Sequence, residues 1–217
     1  ENHQHTHSFK PRGALNKILS LPPEKLAAGL VTGSAGNHGQ GVALAARLTG
    51  SAARVFVPQA APQVKVDRML ALGAVVERVP GLYGDAEDRA IAFAAETGQT
   101  FISAYNDPEV IAGAGTLALE WLEQMPELGR LLIPVGGGGL LCGVGLAAKA
   151  LEPEIEIIGV LSEASPFLYQ QFYFGNMDGV VELPTLTDGL AGAVEPGSIT
   201  IDLLPHACDA IVQLTEA

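Results

Sequence analysis

Short apolar runs and longer stretches with helical spacing alternate along the chain. The apolar runs predict strands at residues 29–33, 53–58, 74–79, 100–105, 131–135 and 155–161, and a further strand-like run lies at 210–217. Apolar residues recurring every three to four positions predict helices at 38–48, 62–73, 85–98, 108–125 and 140–151. This alternation predicts an α/β protein with parallel sheets, right-handed crossovers and flanking helices.

Composition and charge narrow the class of protein further. The 217 residues suffice for one large domain or two small ones, and 26 glycines with few aromatic residues favour tight turns between strands and helices. The net charge of −12 argues against partners with anionic surfaces, namely nucleic acids and acidic membranes. No apolar run approaches the length of a membrane span, which is about 18 residues or more.

The N-terminal sequence and the cysteines bear on the compartment. ENHQHTHSFK lacks the apolar segment of a signal peptide, and two cysteines are too few for a disulfide framework. We therefore expect a reducing, cytoplasmic environment. Cys142 lies in an apolar helical stretch, which predicts an inert core thiol.

Lys10 is the first candidate for chemistry. It follows Ser8 and Phe9 and directly precedes a helical pattern. Its amine can form a Schiff base with an aldehyde cofactor once it is deprotonated, which burial or a nearby cation promotes, and Phe9 can pack against a flat ring. The alternative is a solvated surface lysine at a helix start.

The second candidate is the sequence SAGNHGQG, between a predicted strand and a predicted helix. Its small residues let the backbone approach a ligand, and N–H groups at a helix start favour an anion. Asn37 offers both a donor and an acceptor. The alternatives are an ordinary strand-to-helix turn and, for His38, a structural histidine.

The third candidate is a glycine run between another predicted strand and helix. The run consists of Gly136, Gly137, Gly138 and Gly139. Four consecutive glycines carry a high entropic cost, and they suit a nest of N–H donors around a phosphate. The run is neither a P-loop nor the GxGxxG motif of nicotinamide enzymes.

Together, SFKPRGA, SAGNHGQG and PVGGGGL resemble the fold type II pyridoxal-phosphate enzymes, and most of all their threonine/serine dehydratase and serine racemase group. DPEVIAGAGTLALEW and TLTDGLAGAVEPG also resemble segments of this group. The resemblance implies a two-domain, tryptophan-synthase-β-like fold. Residues 29–106 would form the small mobile domain, and residues 1–28 with 107–217 the large cofactor-binding domain.

The resemblance also implies the residues that bind pyridoxal 5'-phosphate. Lys10 would bind the cofactor covalently and, once released, act as the base at Cα of the substrate. Phe9 would pack near the ring, and Asn37 would hydrogen-bond to its phenolic oxygen. Gly136–Gly139 would bind the phosphate, and Gly189 would cover the other face of the ring.

The substrate would be a small amino acid held by the same SAGNH segment. Ser34, Gly36 and His38 would belong to the loop that takes its carboxylate, together with Ala35 and Asn37. Racemases of the group carry a hydroxyl where Ala35 stands, and a methyl group cannot exchange a proton. The resemblance therefore favours a dehydratase that converts L-threonine or L-serine to a 2-oxo acid and ammonia, over a serine racemase.

Two further alternatives stay open. One is other fold type II chemistry, as in threonine or cysteine synthases, although SAGNH and GGGG differ from the loops usual in cysteine synthases. The other is a catalytically inert fragment, because by comparison with the group we expect the chain to be truncated at both ends. A homo-oligomer, a dimer or tetramer, is expected.

We expect no metal site. Members of the group with a divalent metal use acidic residues after the strand that corresponds to residues 155–161. Glu163 matches one of them, but Phe167 and Tyr169 stand at the other positions. The alternating His3, His5 and His7 lie close to a terminus and lack further ligands.

Overall fold

The computed structural model describes residues 1–216, and the chain forms two compact units, Glu1–Gly113 and Ala114–Ala217. The helices are α1 (Lys10–Ser20), α2 (Pro23–Ala28), α3 (Asn37–Thr49), α4 (Gln63–Ala71), α5 (Tyr83–Thr97), α6 (Pro108–Gln124), α7 (Gly139–Leu151), α8 (Phe167–Phe174) and α9 (Ile199–Ala207). The strands are β1 (Leu30–Gly33), β2 (Ala53–Pro58), β3 (Val75–Val79), β4 (Thr100–Phe101), β5 (Arg130–Pro134), β6 (Glu156–Ser162) and β7 (Ala210–Leu214). The predicted α/β architecture is confirmed.

The first unit contains a parallel sheet of four strands in the order β3-β2-β1-β4. Leu30 and Val55 on one face pack in a cluster with residues of α1, α3 and α4. Val31 and Phe56 on the other face pack against the alanines of α5. Because both faces are covered, β1 and β2 are mainly apolar, as in other parallel sheets.

The second unit contains a parallel sheet of three strands in the order β5-β6-β7. Along β5, Leu131 and Ile133 are buried whereas Leu132 is exposed. Helix α7 packs against α9, and a methyl group at Gly145 would overlap the Ala207 carbonyl. Glycine is therefore needed at this crossing.

Five elements differ from the sequence-based expectation. The strand predicted at 100–105 ends at Phe101, because the Ser103 hydroxyl accepts hydrogen bonds from Tyr105 N (3.4 Å) and Asn106 N (3.0 Å) and turns the chain. Helices α2, α8 and α9 were not predicted. Helix α9 contains Pro205, a residue usually excluded from a helix interior. In the strand-like run 210–217, β7 ends at Leu214, and Ala217 lies outside the described residues.

Within residues 1–216, none of the helices combines the length and apolar character needed to cross a bilayer. The predicted boundaries of the small and large domains stay a prediction. The sheet β1–β4 lies inside the predicted range 29–106.

Two glycines allow α1 and the first part of α6 to approach each other closely. A Cβ at Gly113 would lie 2.6 Å from Arg12 O and 2.7 Å from Gly13 Cα. Next to this crossing, Asn16 donates to Glu109 O (2.8 Å) and Lys17 pairs with Asp107 (2.7 Å). The position of α1 is thus fixed by backbone packing and by polar contacts.

We expect Gly113→Ala to lower the free energy of unfolding by about 1–3 kcal/mol, because backbone atoms cannot move aside as a flexible side chain does. The control is Gly84→Ala, at an exposed helical position in the same unit with open space around its Cβ. This change should leave stability unchanged or raise it. The midpoints of urea denaturation measure both, and equal midpoints would contradict the close crossing.

Candidate active site

Lys10 is the first residue of α1, and its amine is directed into the first unit. Lys10 Nζ donates a hydrogen bond to Ala104 O (3.0 Å) and lies 5.1 Å from the centroid of the Phe9 ring. Burial lowers the pKa of Lys10 from 10.5 to about 8. Lys10 is half-buried, and a lysine whose pKa is lowered in this way has a substantial neutral fraction near physiological pH, which a nucleophilic amine requires.

The position of Lys10 depends on a glycine in the neighbouring helix α3. A Cβ at Gly41 would lie 3.1 Å from Lys10 C and 3.2 Å from Lys10 O. Gly39, two residues earlier, faces Met69 and Val55 of the same unit. This role of Gly41 was not predicted from the sequence. The available signal was the pair of glycines inside an otherwise helical pattern, which indicates close packing on two sides.

The SAGNH segment connects β1 to α3. Ser34 is buried, and its hydroxyl accepts a hydrogen bond from Gly36 N (3.2 Å). Asn37 is exposed and begins the helix, and the hydrogen bond from Gln40 N to Gly36 O (3.3 Å) closes the first turn. The N–H groups of residues 37–39 precede that bond, as at any helix start, and form a site suited to an anion. Ala35 is half-buried.

His38 directs its side chain into the interior of the first unit. Its Nε2 lies 3.0 Å from Ile102 O, and a carbonyl can only accept, so Nε2 carries the proton. Burial, and secondarily the charge of Lys10, lower the pKa of His38 to about 3, although the bond to Ile102 opposes the shift. The imidazole is therefore neutral, and among the described residues its buried Nδ1 has no hydrogen-bond partner.

The segment after β4 receives hydrogen bonds from several elements of the first unit. Ile102 O accepts from His38 and from the Thr32 hydroxyl (2.9 Å), and Ala104 O accepts from Lys10. The end of β1, the start of α3 and the start of α1 are thus held by one stretch of backbone. Nothing in the sequence pattern marks that stretch, because the acceptors are carbonyl groups.

In the second unit, the glycine run connects β5 to α7. Gly138 has a φ of 89°, a left-handed conformation that favours glycine. A Cβ there would also lie 2.8 Å from Leu168 Cδ1 and 3.0 Å from Thr200 Cβ. Gly139 begins α7, and Cys142 N donates the first helical hydrogen bond to Gly138 O (2.8 Å). The N–H groups of residues 139–141 precede that bond.

Gly136 contacts the loop that carries Gly189. A Cβ at Gly136 would lie 3.0 Å from Leu190 O, whereas Gly189 is exposed with open space around its Cβ. Gly137 is half-buried. The structure therefore brings two segments together that the sequence separates by about fifty residues, and both had been predicted to bind one cofactor.

The prediction of an inert core cysteine is confirmed. Cys142 is fully buried, and its thiol donates to Thr200 O (3.6 Å). Burial raises the pKa of Cys142 to about 12, so a thiolate is disfavoured.

These features define a class of protein. It is an α/β protein with parallel sheets, an amine of lowered pKa, and a glycine-lined helix start of the kind that binds phosphate. The family model of pyridoxal-phosphate dependent enzymes matches residues 1–217. The chain belongs to this family, and its fold is that of the fold type II members.

Named relatives agree with this assignment. The chain is 42% identical over 216 residues to an L-threonine ammonia-lyase of Thermotoga maritima, covering 100% of this chain and 54% of that one. It is 38% identical over 209 residues to a serine racemase of Arabidopsis thaliana, covering 96% and 62%. The processed threonine deaminase isoform 2 of Solanum lycopersicum superimposes with a TM-score of 0.92 at 34% identity, covering 99% and 62%. The chain thus spans about half to two thirds of the length of these relatives.

The lowered pKa of Lys10 predicts a distinct pH profile for its amine. Only the neutral amine attacks an acylating reagent, so the labelling rate should rise with pH around a midpoint near 8 and level off above it. Trace acetylation from pH 6 to 11 with peptide mass mapping measures the profile, and exposed Lys25 in the same digest is the internal reference. Coincident midpoints for the two lysines would contradict the buried environment of Lys10.

Proposed function

We propose that the natural protein with this chain is a pyridoxal-phosphate-dependent ammonia-lyase. It would eliminate the β-hydroxyl of L-threonine or L-serine and release a 2-oxo acid and ammonia. The observation that carries the proposal is the Lys10 amine, whose pKa is lowered to about 8 and which is held on Ala104 O, while the Lys10 backbone packs against Gly41 of α3. The relatives named as threonine ammonia-lyases support the choice of reaction.

The residues of each unit fit the cofactor. In the first unit, Lys10 offers the amine for its aldehyde, Phe9 an aromatic ring beside that amine, and the exposed Asn37 an amide for its phenolic oxygen. In the second unit, the run Gly136–Gly139 offers helix-start N–H groups for its phosphate, with Gly138 in a conformation that other residues rarely adopt. We assign Gly189 to the ring face. When bound, the cofactor withdraws electrons from Cα of the amino acid and makes its proton removable.

The substrate carboxylate is assigned to the SAGNH segment. The N–H groups of residues 37–39 favour a negative group, and the Ser34 hydroxyl already supports the turn by accepting from Gly36 N. His38 contributes through its backbone, because its neutral side chain is bound to Ile102 O.

Lys10 is assigned the proton transfer at Cα. Its neutral amine accepts the proton, and Ala104 O, 3.0 Å from Nζ, is in place to hold the resulting ammonium. A pKa near the working pH suits a group that alternates between base and acid. The carbonyl thereby keeps the lysine close to its resting position through the reaction.

Ala35 favours elimination over racemisation. Racemisation needs a second proton-exchanging group on the opposite face of Cα, and the methyl group of Ala35 cannot supply one. Racemisation is the competing assignment, because serine racemases are among the relatives and their sequence identity to this chain is similar to that of the threonine ammonia-lyases.

Three further assignments, of the domains, the oligomeric state and the compartment, complete the proposal. The small domain is assigned to residues 29–106 and the large domain to residues 1–28 and 107–217. The protein acts on a small amino acid as a homo-oligomer, and we assign it to the cytoplasm. The negative net charge of the chain agrees with a small-molecule substrate and argues against a nucleic acid.

Lys10→Ala in the complete natural protein should lower 2-oxo acid release from L-threonine and L-serine by on the order of a hundredfold to ten-thousandfold, because the base and the cofactor attachment are lost together. Lys25→Ala, at an exposed position in α2, is the control and should keep activity. Cofactor absorbance is recorded in the same samples. A wild-type protein with no bound cofactor and no turnover would instead identify an inert module.

Ala35→Ser should add racemisation without abolishing elimination. The new hydroxyl can exchange a proton at the opposite face of Cα, so D-serine formation from L-serine should rise by on the order of tenfold or more. Chiral chromatography measures D-serine, and Ala35→Val, which adds bulk without a hydroxyl, is the matched control. If the wild-type protein already forms D-serine as fast as it releases 2-oxo acid, it is a racemase.

A further inference from the structure

A loop of irregular structure, residues 183–190, lies beside the glycine run in the second unit. At its start, Leu183 N donates to Ala164 O (2.8 Å). At its end, Leu190 N donates to Thr187 O (2.8 Å), and the Leu190 backbone contacts Gly136. The Leu186 side chain is 87% exposed. Apolar packing therefore contributes little to the position of the middle of the loop.

Glu216 binds the middle of this loop. Glu216 Oε2 accepts from Leu186 N (2.9 Å), and Oε1 accepts from the Thr185 hydroxyl (2.6 Å) and from the Ser162 hydroxyl. We call these four residues the Glu216 cluster. The Thr185 hydroxyl in turn accepts from Thr187 N (3.0 Å), so the hydrogen bonds continue into the turn that contains Gly189.

The cluster lies at the edge of the sheet where ligands of parallel α/β proteins bind. Ser162 ends β6, and Glu216 follows the end of β7. The end of β5 at this same edge leads into the glycine run, because all three strands are parallel. Ligands of such sheets bind outside the carboxyl ends of the strands.

The chemistry of the cluster favours an ionised carboxylate. Three donors converge on two oxygens, and hydrogen bonds to a charged acceptor are about twice as strong as neutral ones. The Leu186 N–H, together with the Ser162 and Thr185 hydroxyls, lowers the pKa of Glu216. A neutral group in its place would lose at least part of this set of contacts.

We propose that Glu216 is a positioning residue that holds the 183–190 loop against the glycine run and thereby sets the place of Gly189. Its effect on the cofactor rests on the proposed function, in which the glycine run binds the phosphate and Gly189 covers the ring. Its effect on the loop does not depend on any cofactor.

Amide hydrogen exchange of the chain tests the effect on the loop. Glu216→Ala should raise the exchange rates of the Leu186 and Thr187 amides by on the order of tenfold. The Leu186 amide loses its acceptor, and the Thr187 amide is left with an acceptor, the Thr185 hydroxyl, that Glu216 no longer holds in place. Glu216→Gln should raise the rate of the Leu186 amide less, because its amide oxygen can still accept. Glu163→Gln removes the charge of an exposed glutamate next to Ser162 and should leave both rates unchanged.

Ser162→Ala and Thr185→Val each remove one hydroxyl that donates to Glu216. They test the same contacts if a Glu216 variant does not fold. Each should raise exchange in the same loop, with circular dichroism as the check of folding. The proposal would be overturned if the loop amides of folded Glu216→Ala, or of both donor variants, exchanged at the same rate as in the wild type.

Cofactor titration of the complete natural protein, followed by absorbance, tests the effect on the site. Glu216→Ala should weaken pyridoxal-phosphate binding several-fold, Glu216→Gln should partly restore it, and Glu163→Gln should bind as the wild type does. Faster exchange with unchanged cofactor affinity would overturn the positioning role. A wild-type protein that binds no cofactor would overturn the proposed function, while the exchange rates would still decide whether Glu216 positions the loop.

Discussion

The close backbone approach of α1 to its two neighbouring helices is the constraint on which the candidate site depends. Gly41 lets α3 contact the backbone of Lys10, and Gly13 and Gly113 let α6 cross α1 within a few ångströms. Side chains at these positions would separate the helices. With the helices in contact, the Lys10 amine reaches Ala104 O and is partly removed from water, and this burial lowers its pKa. The lowered pKa of Lys10 therefore depends on helix packing that requires a residue without a Cβ at these three positions.

Burial also determines which groups near Lys10 carry charge. His38 and Lys10 would both be cations in water at mildly acidic pH, but in the folded unit burial disfavours both charges, and the charge of Lys10 further disfavours protonation of His38. The two side chains are bound to carbonyl groups two residues apart, Ile102 and Ala104. Carbonyl acceptors satisfy the donors without adding a counter-ion that would restore the lysine's usual pKa.

Much of the fold could be predicted from the sequence, because apolar runs and helical spacing reflect burial directly. The glycine run and Lys10 could be identified because their residue types are unusual in their local pattern. The acceptor of His38, the turn at Ser103 and the cluster around Glu216 could not be predicted. Each depends on backbone groups or on residues distant in sequence, and residue type carries no information about either.

The contact between Lys10 and Ala104 has a consequence for the order of folding. Its two residues are 94 positions apart in sequence, and the contact of α1 with Gly113 spans a similar length. Closing so long a loop carries an entropic cost that is paid before the contact forms, and such contacts slow folding. During synthesis, α1 emerges before α6 but cannot dock on it until residues beyond 113 have been added. The Lys10 amine therefore stays solvated, with the usual pKa of a lysine, until the first unit is nearly complete.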